Sequence, residues 1–270
     1  MEKLRELNKQ NFADQRKFIH KIALLMGDIR ENLTPPEKDW SHMSLEAYDV
    51  GIRTPEILNS PINRITYDII DNDLSFYYGL KIQKINLSGL SAREIHEMLL
   101  DQLQKYNIVL KKFPEYNDDV ITKLDRARAN FVNQLCFFDS VLKKFHSSIT
   151  SGTKTTLHLW PHDFDNSFIW KSGRVINGVE EQISIGASNG DKHYDLPYFY
   201  IIPAPSTPAI KSIYAPRGHY HTEGFEGFIL PYTEIQKEDS TETQEKVIND
   251  FLYTVFKKAS EEMMEKQVVA

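Results

Sequence analysis

The chain has 270 residues, 41% of them hydrophobic and 26% charged, which is a globular composition long enough to bury a core without disulfides or metal. A formal charge of -6 and a pI near 5.9 exclude a bulk basic field for phosphate backbones, so no nucleic acid is an expected partner. No apolar run approaches the ~18 residues of a membrane helix, so no membrane is an expected partner either.

Phe18, Ile22, Leu25 and Ile29 recur at helical spacing and predict a helix over residues 2–33, ended by Pro35 and Pro36. The start, Met1-Glu2-Lys3-Leu4-Arg5, is charged and precedes no signal-peptide core. A strand meander is expected next. Leu45 to Ile52 alternates loosely, and Arg64–Ile70 and Leu74–Tyr78 form a hairpin turned at Asp71-Asn72-Asp73. Ser91 and Glu94 make a capping box opening a helix with Ile95, Met98, Leu99 and Leu103, and a short strand is expected at Ile108-Val109-Leu110. The stripe Val120, Leu124, Phe131, Leu135, Phe138, Leu142 and Phe145 predicts a long central helix from Asp118 to His146, with acids and lysines placed to suit its dipole. Cys136, the only cysteine, lies in Leu135-Cys136-Phe137-Phe138 and reads as a small buried hydrophobe in a reducing, cytoplasmic setting.

Beyond Gly152 the chain turns β-rich, with runs at 155–160, 166–170, 181–186, 197–202 and 225–230, and a last helix spans 241–265. The fold class expected is α+β: antiparallel sheets packed with an N-terminal, a long central and a C-terminal helix. No Gly/Ser linker separates 1–150 from 151–270, so 1–270 reads as one domain with a helical/β half and a β-rich half.

Five of the nine histidines, His158, His162, His193, His219 and His221, crowd into 64 residues beside several acids. His219 and His221 are two apart, which places both imidazoles on one face of a strand, and Glu226 offers a hard oxygen. Two imidazoles and a carboxylate suit a divalent metal (zinc, iron or manganese) as Lewis acid or water activator. The spacing H-x-H-x4-E resembles the first metal motif of the cupins, but the second block is missing, and a strand face without metal competes with this reading. In Trp160-Pro161-His162-Asp163-Phe164-Asp165 the rings of Trp160 and Phe164 can wall a ligand pocket, and Asp165 with His162 can form a catalytic proton-transfer pair. A tight strand connection with Asp165 accepting turn amides is the competing reading. Gly186-Ala187-Ser188-Asn189-Gly190 matches G-x-S-x-G, but loop residues rather than a helix follow, so a polar turn is expected. His193-Tyr194-Asp195 matches H-x-D, a spacing too common to carry a ligand set.

Leu157 to Asp165, with its W-P-H-x-F-D piece, and the downstream Glu223-Gly224-Phe225-Glu226-Gly227-Phe228 resemble a family of uncharacterised bacterial proteins classed as a domain of unknown function. Trp40 and the stretch from Tyr48 to Thr54 are similar to its early part, so the resemblance covers about residues 35–235 and implies one domain. It implies no activity, substrate or cofactor. The residues themselves point to an enzyme with a His/Asp/Glu-lined, metal-dependent site for a small polar substrate. The alternative is a non-catalytic binding or accessory protein with an aromatic pocket from residues such as Trp160, Trp170, Phe164, Tyr198 and Tyr200.

Overall fold

A computed structural model describes residues 2–109, 127–176 and 178–265. In chain order it contains α1 (Lys9–Leu33), β1 (Glu46–Tyr48), β2 (Gly51–Arg53), β3 (Arg64–Asp68), β4 (Asp73–Tyr78), β5 (Lys81–Asn86), α2 (Ala92–Gln104) and α3 (Ala127–Ser148). Then follow β6 (Thr153–Lys154), β7 (His158–Trp160), β8 (Asp165–Ile176), β9 (Val179–Ser188), β10 (Tyr198–Ala204), α4 (Pro208–Lys211), β11 (His219–His221), β12 (Gly227–Pro231), α5 (Tyr232–Ile235) and α6 (Thr241–Glu265). One antiparallel sheet runs β1-β2-β3-β4-β5, and a second is ordered β11-β12-β10-β9-β8-β6. The fold class is α+β, with the N-terminal, central and C-terminal helices as α1, α3 and α6.

Local chemistry set several boundaries. The Ser91 hydroxyl accepts from the Glu94 amide while the Glu94 carboxylate accepts from the Ser91 amide, closing the capping box of α2. Asn72 takes a left-handed φ of 61° in the β3–β4 turn, a conformation Asn tolerates well. Helix α1 starts at Lys9 rather than at residue 2. The Leu4 amide donates to Gln244 Oε1 (2.8 Å), Gln244 Nε2 donates to the Leu4 carbonyl (2.9 Å), and the Tyr232 hydroxyl donates to the Arg5 carbonyl (2.8 Å). Side chains, instead of a helical ladder, serve that backbone. Ile108 and Val109 are not in a strand, and the expected helical turns at 118–126, with Leu110, lie outside the described residues.

Two compact units are distinguished. One holds Gln10–Cys136 and His158–Phe164; the other holds the chain through Lys9, Phe137–Leu157 and everything from Asp165 onward. In the first, Phe12 stacks on Phe131 (5.2 Å), and Leu45 and Leu159 exchange both backbone hydrogen bonds (2.8 and 3.0 Å). Arg30, buried, donates to the carbonyls of Ser41 and Ser44. The Trp160-Pro161-His162 segment docks on α1. Gly27 leaves the space for Pro161, whose Cγ would lie 2.5 Å from a Cβ there. His20 Nε2 donates to the carbonyls of Pro161 (2.8 Å) and His162 (3.2 Å), and its ring stacks on Phe164 at 5.0 Å. Phe164, φ 51°, is buried between His20 and Phe131.

In the second unit, Phe138 meets Phe199 (4.3 Å), Phe145 meets Phe168 (6.4 Å) and Trp170 meets Phe256 (5.5 Å), so α3 and α6 cover one face of the sheet. Among the described residues no helix is long and apolar enough to cross a membrane.

Burial holds the His20 imidazole below its ordinary value, an effect only partly offset by the two carbonyls it serves. Its native form is neutral, so the unfolded chain binds more protons once the pH falls through the ordinary imidazole range near ~6.5. Stability is therefore full above that range and is lost from there down to the folded-state value. The urea midpoint should fall between pH 7.5 and about 5.5, and His20→Gln should flatten part of that slope. Superimposable pH profiles for the two proteins would contradict this assignment.

Candidate functional site

Pairing register assigns the faces of the second sheet. Asp165, Ser188 and Tyr198 form one cross-strand row, and Ser167, Gly186, Tyr200, Ile229 and His219 form the next on that side. His221, opposite Gly227, belongs to the row after that. Residues directly opposite share a face, and residues two apart stay on it. The intervening rows, with Phe168, Trp170, Phe199 and Phe228, form the helix-packed core face. Polar, aromatic and very small residues are thus concentrated on the other side.

Two carboxylates hold two tyrosines there. The Tyr200 hydroxyl donates to Asp165 Oδ2, and the Tyr198 hydroxyl donates to Asp191 Oδ2 at 2.5 Å. Asp165, Tyr198 and Tyr200 are all buried. Burial, then the adjacent carboxylate, pushes each phenol well above its ordinary value, so both stay protonated donors. Gly186 makes the Tyr200 geometry feasible, because a Cβ there would lie 2.5 Å from the Tyr200 hydroxyl and 2.6 Å from the Asn166 carbonyl. Tyr198, Tyr200 and Ile229 form a cluster flanked by Tyr194, Ile202 and Phe225.

At the edge of this layer three polar side chains converge. The Tyr194 hydroxyl lies 3.3 Å from His221 Nδ1 and 3.5 Å from His219 Nε2. His221 Nε2 reaches the Glu223 carbonyl at 2.5 Å, an acceptor only, so this nitrogen carries the proton and Nδ1 keeps its lone pair toward Tyr194. His221 is buried, Tyr194 is half-buried and His219 is exposed. Phe225 packs 4.6 Å from the His221 ring. Tyr194 is placed by its own loop. Asp191 Oδ1 accepts from the His193 amide (2.6 Å) and the Tyr194 amide (2.9 Å), and the Asp191 amide donates to the Tyr194 carbonyl (2.8 Å). Burial opposes the Asp191 charge, but the Tyr198 hydroxyl and the two amides outweigh it and hold the carboxyl below its usual range. Burial, with Glu223 and Asp191 nearby, raises the Tyr194 phenol, and burial followed by the His221 neighbour lowers His219.

Of the residues singled out in the sequence, Asp165, His219, His221 and Glu226 lie in the second unit, and Trp160, His162 and Phe164 in the first. Asp165 receives its hydrogen bond from Tyr200. The His162 side chain is exposed, and its carbonyl accepts from His20. Trp160 lies edge-on to His158 at 5.2 Å, and Phe164 is part of the core. His219 and His221 do share a face, but Glu226 pairs with Lys211 Nζ (2.6 Å) and the Tyr220 hydroxyl (3.3 Å). Tyr220 alternates to the opposite side of β11, so Glu226 is turned away from the imidazoles. Among the described residues no three His, Cys, Asp or Glu side chains gather around one point. The third member of the converging set is a phenol, Tyr194, the middle residue of the H-x-D match, a spacing that gives no weight to its central position. Ser188 of the G-x-S-x-G match is buried in β9 and accepts from the Gly190 amide (3.0 Å), as a strand-end turn does.

These features define an α+β protein whose second sheet carries a tyrosine, carboxylate and imidazole layer opposite its helix-packed face. The model of a family of unknown function, DUF5996, matches residues 4–266, and the chain belongs to that family. No curated protein and no solved structure matches it.

Gly186→Ala should force Tyr200 off Asp165 and cost about 1–3 kcal/mol of stability, as overpacking in a tight core does. Urea unfolding gives the energy, and the Tyr200 ring resonances report the displacement. A variant as stable as wild type with unshifted resonances would refute the close approach.

Proposed function

We propose that the protein is an enzyme acting on a small polar substrate held at the edge of the tyrosine layer, with the Tyr194–His221 pair moving the proton. The observation that carries this reading is the state of His221. Its Nε2–H is committed to the Glu223 carbonyl, which leaves a basic lone pair on Nδ1 directed at a phenol beside exposed His219. A neutral imidazole and a protonated phenol in reach of each other can accept and donate a proton in one turnover. Phe225 and Tyr194 supply the apolar wall, and the buried Asp165–Tyr200 pair and the half-buried Asp191–Tyr198 pair keep that wall rigid. The same aromatic layer supports a second reading, a non-catalytic binder, in which Tyr194 and His221 only hydrogen-bond the ligand.

Thermal-shift screening of small polar metabolites, with a chelator present, tests the site. A ligand at 100 times its dissociation constant adds about 2.7 kcal/mol of stability to the native state. The shift should be lost in Phe225→Ala. Ligand NMR of each hit then separates the readings: conversion of the compound by wild type and its absence in His221→Gln identify the enzyme, and binding without conversion identifies the binder. A screen without a hit, or an undiminished shift in Phe225→Ala, would remove the site from consideration.

A further inference from the structure

We propose that Tyr194 Oη, His219 Nε2 and His221 Nδ1 form a three-donor site for a divalent metal ion of the zinc class. The inference rests on the site described under Proposed function but gives its three polar atoms to an ion, so that Tyr194 and His221 act as ligands there and the proton is moved by water or substrate at the open position.

The distances favour it. Two donors each about 2.05 Å from a tetrahedral ion stand about 3.3 Å apart. The Tyr194 oxygen is 3.3 Å from one imidazole nitrogen and 3.5 Å from the other. A close hydrogen bond between nitrogen and oxygen spans about 2.7–3.2 Å. Both spacings are at the long end for a hydrogen bond and match those between the Tyr194 oxygen and neighbouring ligands of one ion.

The orientation favours it as well. A metal-binding histidine almost always donates its other ring N–H to a carbonyl, carboxylate or water, which fixes tautomer and ring plane. His221 does this through Nε2 to the Glu223 carbonyl. His219 sits two residues along β11 on the same face, so both imidazoles approach from one strand, and Gly227 opposite His221 contributes no side chain to block the approach. Tyr194 arrives from a separate loop, locked by the Asp191 carboxylate on the His193 and Tyr194 amides. Glu223 and Asp191 both act electrostatically on the Tyr194 phenol, and their negative charge favours a cation there. Imidazole nitrogens and a phenolate oxygen form a borderline donor set suited to zinc-class ions. With three protein donors and an exposed His219, a coordination position remains for water or substrate. Binding displaces the Tyr194 proton to solvent, as deprotonation of a ligand requires.

Metal-stripped full-length protein titrated with zinc chloride should bind one ion per chain. A tyrosinate difference absorption should appear in step with binding and be absent from Tyr194→Phe. Affinity should fall about tenfold or more in Tyr194→Phe and in His219→Ala, whose exposed ring is no part of the core, and should be unchanged in Glu226→Gln. Uptake below a tenth of an ion per chain would overturn the proposal. So would wild-type affinity in His219→Ala and Tyr194→Phe, or a loss in Glu226→Gln as large as theirs. Ligand binding in chelator without zinc uptake would reject the metal and keep the substrate site. Zinc uptake without any ligand would do the reverse.

Discussion

The sheet of the second unit depends on satisfying a carboxylate that its own strand register buries. Asp165 opens β8 on the face opposite the helices, at 6% exposure. A charge in that position is tolerable only with strong hydrogen-bond donors, and Tyr200 supplies one from two strands away. That contact needs the small residue between them, Gly186, because the phenol crosses directly over its backbone. Tyr198, Ser188 and Asp191 repeat the arrangement one row along, and Asp191 extends it into the loop that holds Tyr194. The Tyr194–His221 edge is therefore the outer end of a chain of polar contacts that starts in the interior.

Elements with strong local signals were legible in the sequence. The last helix spans Thr241–Glu265 as its periodicity predicts, and the α2 capping box and the Asn72 turn are present as read. Strand β5, Lys81–Asn86, was missed because it is mostly exposed and its Lys and Gln residues carry no apolar alternation. The first residues depart from the expected helix because the competing partners, Gln244 and Tyr232, lie more than 220 positions away. No local rule reports such distant capture.

The site was legible only in part. The two-residue spacing of His219 and His221 predicted their common face, since strand alternation is a local property. Glu226 was linked to them by spacing alone, and spacing does not encode that Lys211 and Tyr220 engage it. Tyr194 was within reach of sequence reasoning by a different route. Tyr198 and Tyr200 share one side of β10 across from Ser188 and Gly186, which is the mark of a polar-aromatic face rather than a core. A third tyrosine just upstream belonged with them.

The handedness of one residue divides a contiguous motif. Phe164 is the one member of Trp160–Asp165 with a left-handed φ, a state that costs an ordinary L-residue roughly 1–2 kcal/mol. Its ring offsets that strain by stacking between His20 and Phe131. Pro161 and the His162 carbonyl before it are engaged by α1, and the aspartate after it is committed to a phenol on another strand. Six consecutive letters therefore act as two separate vocabularies. Drift in the first half leaves the partner of the second intact, and an evolutionary lineage could rewrite one without editing the other.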